Sequence, residues 1–386
     1  MESLRDKVAI IGMGCCKFGE NWDKSAQDMI VEVAYEAYQD AGVEPKQIQA
    51  AWVGTIFTGM SGCILADTLK LDGIPISRVE NQCPTPMDAL RNACYAVAAK
   101  VFDVVLVVGV EKQKDSGYSG LPDIDTFYPI HPVIGKGGTA PGWFSLPAAR
   151  YFAKYGASRE HLAKIAVKNH KNGTLSPKAH FQKEITLEQA LNAPIVSWPF
   201  GLFDCCPTTD GAAAAIITTK ELAKSFNKDY VLVKALNLAC DSLAPFQRPD
   251  FDFLGWPATQ RAGQAAYKDA GVTNPAKQIS MAEVHDCFTL TELLTYEDLG
   301  FCKKGEAKDH VDSGTFEIAG DLPVNVDGGL KSFGHPVGAS GLRMIYEIYK
   351  QLQGKAGPRQ LKKMELGLAH NIGGFPQVSS VAILGR

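Results

Sequence analysis

The chain has 386 residues, 46% apolar and 21% charged, with a net charge of −3. That length exceeds one ordinary core and predicts two core-forming halves or more. The near-neutral balance argues against nucleic acid or an anionic membrane surface as a partner, and no run of about 18 apolar residues marks a membrane span.

The opening Met1-Glu2-Ser3-Leu4-Arg5-Asp6-Lys7 carries charges of both signs and runs into an apolar strand at 8–11. It reads as neither a secretory signal nor a typical transit peptide, so the cytoplasm is the expected compartment. Ala37-Tyr38-Gln39-Asp40-Ala41-Gly42-Val43 ends a helical pattern on Gly, as a C-cap should. Lys46-Gln47-Ile48 and a strand at 51–54 follow. The polar run Arg78-Val79-Glu80-Asn81-Gln82 then leads to Cys83, which reads as a helix start with Pro84 just inside. Free N–H groups and the dipole at such a point favour a thiolate, so a lowered thiol pKa is expected. A buried strand is predicted at 104–110.

Residues 120–195 differ in character. They are rich in Pro and Gly at first, from 117 to 141, and then basic between 159 and 171, with Lys164, Lys168, His170 and Lys171. The stretch reads as an insertion over the active face, or as a solvated loop and helix; its Lys and Arg are candidates for phosphate groups of a ligand. Phe203-Asp204-Cys205-Cys206-Pro207 precedes a small apolar run at 212–217. Adjacent cysteines point opposite ways in a strand, and both read as structural, like Cys15 and Cys16.

The second half repeats the first. Ala266-Tyr267-Lys268-Asp269-Ala270-Gly271-Val272 differs from the 37–43 segment only by Lys for Gln, and Lys277-Gln278-Ile279 again follows. The next strand, 281–284, ends at His285-Asp286-Cys287-Phe288. Strand ends are where α/β proteins place their sites, and alternation sends His285 and Cys287 to one side. His335, in Gly334-His335-Pro336-Val337-Gly338-Ala339-Ser340-Gly341, precedes Leu342-Arg343 by the spacing at which Cys83 precedes Leu90-Arg91. Two equivalent helix starts would thus carry a thiol and an imidazole that can serve as its base. After a strand at 366–369 comes His370-Asn371-Ile372-Gly373-Gly374, whose glycines offer N–H groups for an oxyanion. His370 reads as catalytic or as orienting its neighbours. The ten cysteines include no Cys-x-x-Cys pair, so no zinc ribbon is expected within the chain, and most should be free thiols.

These motifs resemble the thiolase family over essentially the whole chain. Cys83 after Val79-Glu80-Asn81, the Gly-His-Pro segment at 334–341 and the glycines at 373 and 374 match in order and spacing. His285-Asp286-Cys287-Phe288 is similar to the sterol-carrier-protein type, where it replaces the commoner Asn-Glu-Ala-Phe. Residues 142–180 resemble the family's loop domain. The resemblance implies an α/β thiolase fold: two similar βαβαβαββ halves in five layers, α-β-α-β-α. It places the N-terminal half at 1–119 plus 196–228, the loop domain at 120–195 and the C-terminal half at 229–386.

It also implies thiolytic cleavage of a 3-oxoacyl-CoA, or the reverse Claisen condensation. Coenzyme A is co-substrate and no metal in this chain is implied. His335 would deprotonate Cys83, and Cys83 would carry the acyl group. Cys287 would be the second acid/base, because the usual C-terminal Cys position reads His370-Asn371. His285 and His335 would polarise one oxygen, and the N–H groups of Cys83 and Gly374 the other. Pro84-Thr85-Pro86 departs from the small residues usual there, which points to a bulky, branched or aromatic acyl group. The family usually forms homodimers. Gly109-Val110-Glu111-Lys112-Gln113-Lys114-Asp115-Ser116-Gly117-Tyr118 is similar to subunits that work with a small zinc-ribbon/OB-fold partner, including benzoylsuccinyl-CoA thiolase and steroid side-chain aldolases. A thiolase-like retro-aldolase acting on a 3-hydroxyacyl-CoA, a condensing synthase and a non-catalytic CoA-ester-binding subunit are the alternatives.

Overall fold

The computed structural model describes residues 3–116, 138–242 and 248–386. Most of the Pro- and Gly-rich stretch, and Gly117 and Tyr118 of the partner-associated segment, lie outside the described residues.

The first unit runs β1 (Val8–Cys15), α1 (Ala26–Ala41), β2 (Ala50–Gly54), α2 (Cys63–Leu69), β3 (Ile76–Val79), α3 (Thr85–Ala98) and β4 (Val104–Lys112). An inserted group follows: α4 (Ala140–Tyr155), α5 (Arg159–Gly173), α6 (Leu187–Leu191) and the hairpin β5 (Ile195–Ser197) and β6 (Phe200–Gly201). Then β7 (Asp210–Thr219) and α7 (Lys220–Phe226) complete the unit. The second unit runs β8 (Val231–Cys240), α8 (Pro257–Ala270), α9 (Pro275–Gln278), β9 (Met281–Glu283), α10 (Thr289–Asp298), α11 (Ala307–Asp312), α12 (Gly329–Phe333), α13 (Ser340–Leu352), β10 (Leu366–Gly373) and β11 (Val378–Gly385).

The sequence repeat is a repeat of local structure. α1 ends at Gly42 (φ +68°) and α8 at Gly271 (φ +74°), both left-handed. In each, the Gly N–H bonds three residues back and the following Val N–H five back, to Tyr38 and Tyr267 (3.1 and 2.8 Å). Glycine holds this backbone without a Cβ penalty, which stops the helix and turns the chain into the next strand.

Nine strands form one sheet in the order β3-β2-β4-β7-β1-β8-β11-β10-β9. The order is a mirror about the β1·β8 junction, where Ala9 pairs with Leu232 and Ile10 with Val231. Among the described residues, the third strand of the first unit has no counterpart in the second. Val324 makes a single parallel bridge to Ala282 in its place, between Pro323, which lacks an N–H, and Asn325, whose φ is +54°. β4 and β7 are buried on both faces and accordingly read as unbroken apolar runs.

α3 and α13 both pack on strands of both units, α1 covers the first unit from outside and α8 the second. The layering is therefore α-β-α-β-α. The central helices cross closely at Gly341, where a Cβ would lie 2.6 Å from Met87 Cγ. Their starts correct the sequence reading. α3 begins at Thr85 with Pro84 as its cap, whereas α13 begins five residues after His335, with Pro336 in the preceding turn.

Candidate active site

Cys83 sits on a sharp turn between β3 and α3. Gln82, just before it, has φ +56°, a backbone costly for a side-chain-bearing residue. The turn is closed locally: Thr85 N–H donates to Gln82 O (2.9 Å), Asn81 N–H to Thr85 Oγ1 (2.8 Å), and Asn81 Nδ2 to Asp88 (2.6 Å). Gly373 and Gly374 lie directly on this turn. A Cβ on Gly373 would be 2.9 Å from Cys83 N, and one on Gly374 would run into the Gln82 amide.

The backbone N–H groups of Cys83 and Gly374 both stabilise Sγ as a thiolate, but burial dominates and pushes the thiol up to about 12. The expectation of a lowered pKa is thus reversed. Cys83 is only 8% exposed, and Pro84 and Pro86 bring no N–H groups. The resting group is a neutral thiol that needs a base.

Two imidazoles face it. One ligand atom each of Cys83, His285 and His335 lie within 4.8 Å of one another, and the two rings stand perpendicular with centroids 5.0 Å apart. Ser340 Oγ is 2.8 Å from His335 Nδ1 and gives its own proton to the Pro336 carbonyl (3.0 Å). Its oxygen therefore accepts from Nδ1–H, and Nε2 is left as a lone pair, buried and without a hydrogen-bond partner. Burial, helped by Arg343, pulls His335 down to about 3, so the ring is neutral. With its amide N turned toward them, Gln113 is 2.9 Å from the carbonyls of His335 and Thr209. His285 Nδ1 is 3.1 Å from Asn371 Oδ1, and burial holds this ring well below the usual range as well.

The His-Asp-Cys-Phe residues do four different jobs. Asp286 accepts from the N–H groups of Leu330 (2.6 Å) and Lys331 (3.1 Å) and from Asn169 Nδ2 (2.8 Å), anchoring the short helix that leads to His335. Burial raises its carboxyl to about 7. Cys287 is buried, with Sγ 3.7 Å from Thr291 Oγ1; burial and then the neighbouring thiols of Cys206 and Cys83 push it well above the ordinary value. It is a protonated thiol beside the nucleophile. Phe288 stacks on Phe200 (5.2 Å) and packs on Phe144 (4.9 Å), which contacts Phe375 just after the glycines.

Other residues fall differently from the sequence reading. Asn371 and His370 are neighbours on β10, so they face opposite ways. Asn371 reaches His285, while His370 Nε2 is 3.0 Å from Thr259 on the outer helix α8. Cys206, read as merely structural, has its thiol beside those of Cys83 and Cys287, and its N–H donates to the Cys287 carbonyl (2.9 Å). Cys205 faces elsewhere, toward Gly201 O and buried Lys331, whose Nζ donates to the Cys205 carbonyl (2.5 Å). No sequence signal beyond the adjacent pair marks Cys206.

Helix α5 lies against this site, and its Arg159, Lys164 and Lys168 are already engaged, whereas Lys171 is exposed. Lys168 Nζ is 2.6 Å from Glu292 and buried, Lys164 pairs with Glu160 and Asp312, and Arg159 Nε bonds Pro199 O. Asn169 spans Glu292 and Asp286, and Tyr296 also bonds Glu292. The inserted group is thus tied through buried polar contacts to the strand end that carries His285. Lys168 is part of that tie, buried and bonded to Glu292 and the Val324 carbonyl.

The chain matches the family models described as "Thiolase, N-terminal domain" over residues 8–196 and "Thiolase C-terminal domain-like" over 239–386. It is 39% identical to an acetyl-CoA acetyltransferase of Methanothermobacter thermautotrophicus, over 99% of this chain and 100% of that protein. It is 34% identical to sterol carrier protein 2 of Gallus gallus, over 96% of this chain and 70% of that protein. Among solved structures it is similar to the Ltp2-ChsH2(DUF35) aldolase, with TM-score 0.85, 28% identity and coverage of 100% of this chain and 99% of that one. With family models matching both halves, full-length relatives and a thiol facing two imidazoles, the chain belongs to the thiolase superfamily, as an acyltransferase of the sterol-carrier-protein type.

Proposed function

We propose that the chain cleaves, or forms by condensation, a 3-oxoacyl-CoA through an acyl-enzyme on Cys83. The observation that carries this reading is the unpartnered, buried lone pair of His335 Nε2 facing a buried neutral thiol. A base fixed by Ser340 needs no reorganisation to take the Cys83 proton. The sulfur then attacks the 3-keto carbon, and the bond to C2 breaks. The N–H groups of Cys83 and Gly374 hold the developing oxyanion. Cys287, kept protonated by burial, gives its proton to the acyl-CoA carbanion. Free CoA then collects the acyl group.

His335, once protonated at Nε2, becomes a donor to the thioester oxygen. His285 joins it when the Asn371 amide rotates to present its N–H to Nδ1. His370 then acts only as a support of β10.

The finer assignments belong to the same reading. Pro84 and Pro86 beside the thiol, and the aromatic ring cluster of Phe144, Phe288 and Phe375, favour a bulky, branched or aromatic acyl group. A homodimer core with a zinc-ribbon/OB-fold partner fits the likeness to a two-component aldolase. The working division is 1–119 plus 196–228, 120–195 and 229–386, with the cytoplasm as compartment. That same likeness favours one second reading, a retro-aldolase that releases a carbonyl product without an acyl-enzyme.

Intact-mass spectra after incubation with acetyl, benzoyl, succinyl and branched acyl-CoA thioesters and their 3-oxoacyl forms separate the two. An adduct on the wild type, absent from Cys83→Ala and discharged by CoA, supports the thiolase reading, and its mass identifies the acyl group. Carbon–carbon cleavage that survives in Cys83→Ala, with no adduct, replaces it with the aldolase. Faster turnover of acetoacetyl-CoA than of every bulky substrate removes the bulky assignment.

A further inference from the structure

The oxygens behind the two rings at Cys83 favour the same tautomer. With the Ser340 proton directed to Pro336 O (3.0 Å), the hydroxyl oxygen accepts from His335 Nδ1–H at 2.8 Å. Asn371 Oδ1 carries no proton, so it accepts from His285 Nδ1–H at 3.1 Å. Both rings therefore present Nε2 as a lone pair, and that of His335 is buried with no partner. The donor atoms of Cys83, His285 and His335 lie within 4.8 Å of one another, and no other group of three His, Cys, Asp or Glu among the described residues does so.

This is a metal donor set: one sulfur and two neutral imidazoles, each ring held from behind by a side-chain oxygen. Metal-binding histidines are oriented in just this way, through the ring N–H that does not face the ion. Three protein ligands with a fourth position free suit a tetrahedral d¹⁰ ion.

We propose that Cys83, His285 and His335 form a binding site for Zn²⁺, which acts there as a reversible inhibitor and not as a cofactor. On binding, Sγ–H releases its proton to solvent, a Zn–S bond forms, and the two Nε2 atoms donate their lone pairs; no atom changes oxidation state. Bond lengths of about 2.3 Å to S and 2.0 Å to N put donors roughly 3.5 Å apart, so the site contracts by no more than about an ångström. The ion takes the same Nε2 lone pair that removes the Cys83 proton, so metal and acyl group exclude one another. The Asn371 amide sets the balance: Oδ1 toward His285 makes the ring a ligand, and Nδ2 toward it makes the ring a hydrogen-bond donor.

The test is titration of the full chain with Co²⁺, which reports a thiolate ligand by its sulfur-to-metal charge-transfer absorption and is displaced by Zn²⁺. One equivalent with that absorption is expected for the wild type and for Cys63→Ser, which removes an exposed thiol. Cys83→Ser loses the absorption. His335→Gln keeps it but binds at least tenfold more weakly, and Ser340→Ala binds about 10–100-fold more weakly. Asn371→Asp, which can only accept from Nδ1, binds at least as tightly as the wild type. No charge transfer in the wild type, its survival in Cys83→Ser, or unchanged affinity in His335→Gln would overturn the site. No thioester is involved, so the result is independent of the acyl-enzyme test.

Discussion

Arg91 and Arg343 follow Cys83 and His335 at the same spacing in the two repeated units, yet they live in different physics. Arg91 pairs with Asp88 one turn back on its own helix (2.6 Å), and its side chain is 23% exposed. Arg343 is fully buried and joins two separate segments: Glu283, two residues before His285, and Asp327, at the head of the turn leading to His335 (2.7 Å each). The first unit delivers its nucleophile by a local device, a tight turn closed by its own residues. The second delivers its bases by a distributed one, in which distant segments are held in register by buried charge. The two units share the scaffold and divide the labour.

The comparison breaks most directly at the arginines. Arg343→Met leaves two carboxylates buried without their cation and should cost about 3–5 kcal/mol in urea unfolding. Arg91→Met should cost no more than about 1 kcal/mol. Equal losses would mean that the two units are held alike.

The next largest effect concerns the two faces of β10. Asn371→Ala frees the His285 ring and should lower kcat/KM about 10–100-fold, as misplacement of a reacting group does. His370→Gln should leave it within about threefold, since His370 bonds only the outer helix among the contacts described. A reversed pair of values would return His370 to the chemistry.

His370 should instead appear in the pH dependence of stability. Burial lowers it to about 3 from 6.5. The unfolded chain therefore takes up the proton first, so the contribution is whole above pH 6.5 and is lost as pH falls toward 3. The wild type should lose roughly 1.5 kcal/mol more than His370→Gln between pH 6.5 and 5, read from unfolding at the two pH values. Parallel curves would show a solvated ring.

The smallest effect sharpens the local side of the comparison. Gln82→Gly relieves the left-handed backbone before Cys83 and should stabilise the chain by up to about 1 kcal/mol. Destabilisation would show that Gln82's packing against Gly374 outweighs its backbone strain.

Much of this was legible in the sequence because it depends on short-range rules. The caps at Gly42 and Gly271 announce the repeat, and the spacing of Cys83, His335 and the closing glycines announces the site. What was hidden depends on which side of an element meets what. His370 and Asn371 are both polar, and nothing local says which one faces α13 and which α8. Lys168 looks like the other lysines in the charge run, yet it is the lysine turned inward to Glu292. The thiol pKa went the other way because solvent exclusion is a property of the closed site, whereas the helix start is a property of the turn. Cys206 arrives by a long-range pairing with the strand end at Cys287.

The site straddles the mirror in the sheet, and that has a consequence for how the molecule is made. The chain emerges from its N-terminus, so Cys83 leaves the ribosome about 200 residues before His285 and about 250 before His335. Until the second unit is synthesised and docked across the β1·β8 seam, the cell holds an ordinary thiol with no base, no Gly374 N–H and no acid. Prematurely terminated chains lack the base and the acid, and the catalytic centre comes into being only as the last strands close the molecule.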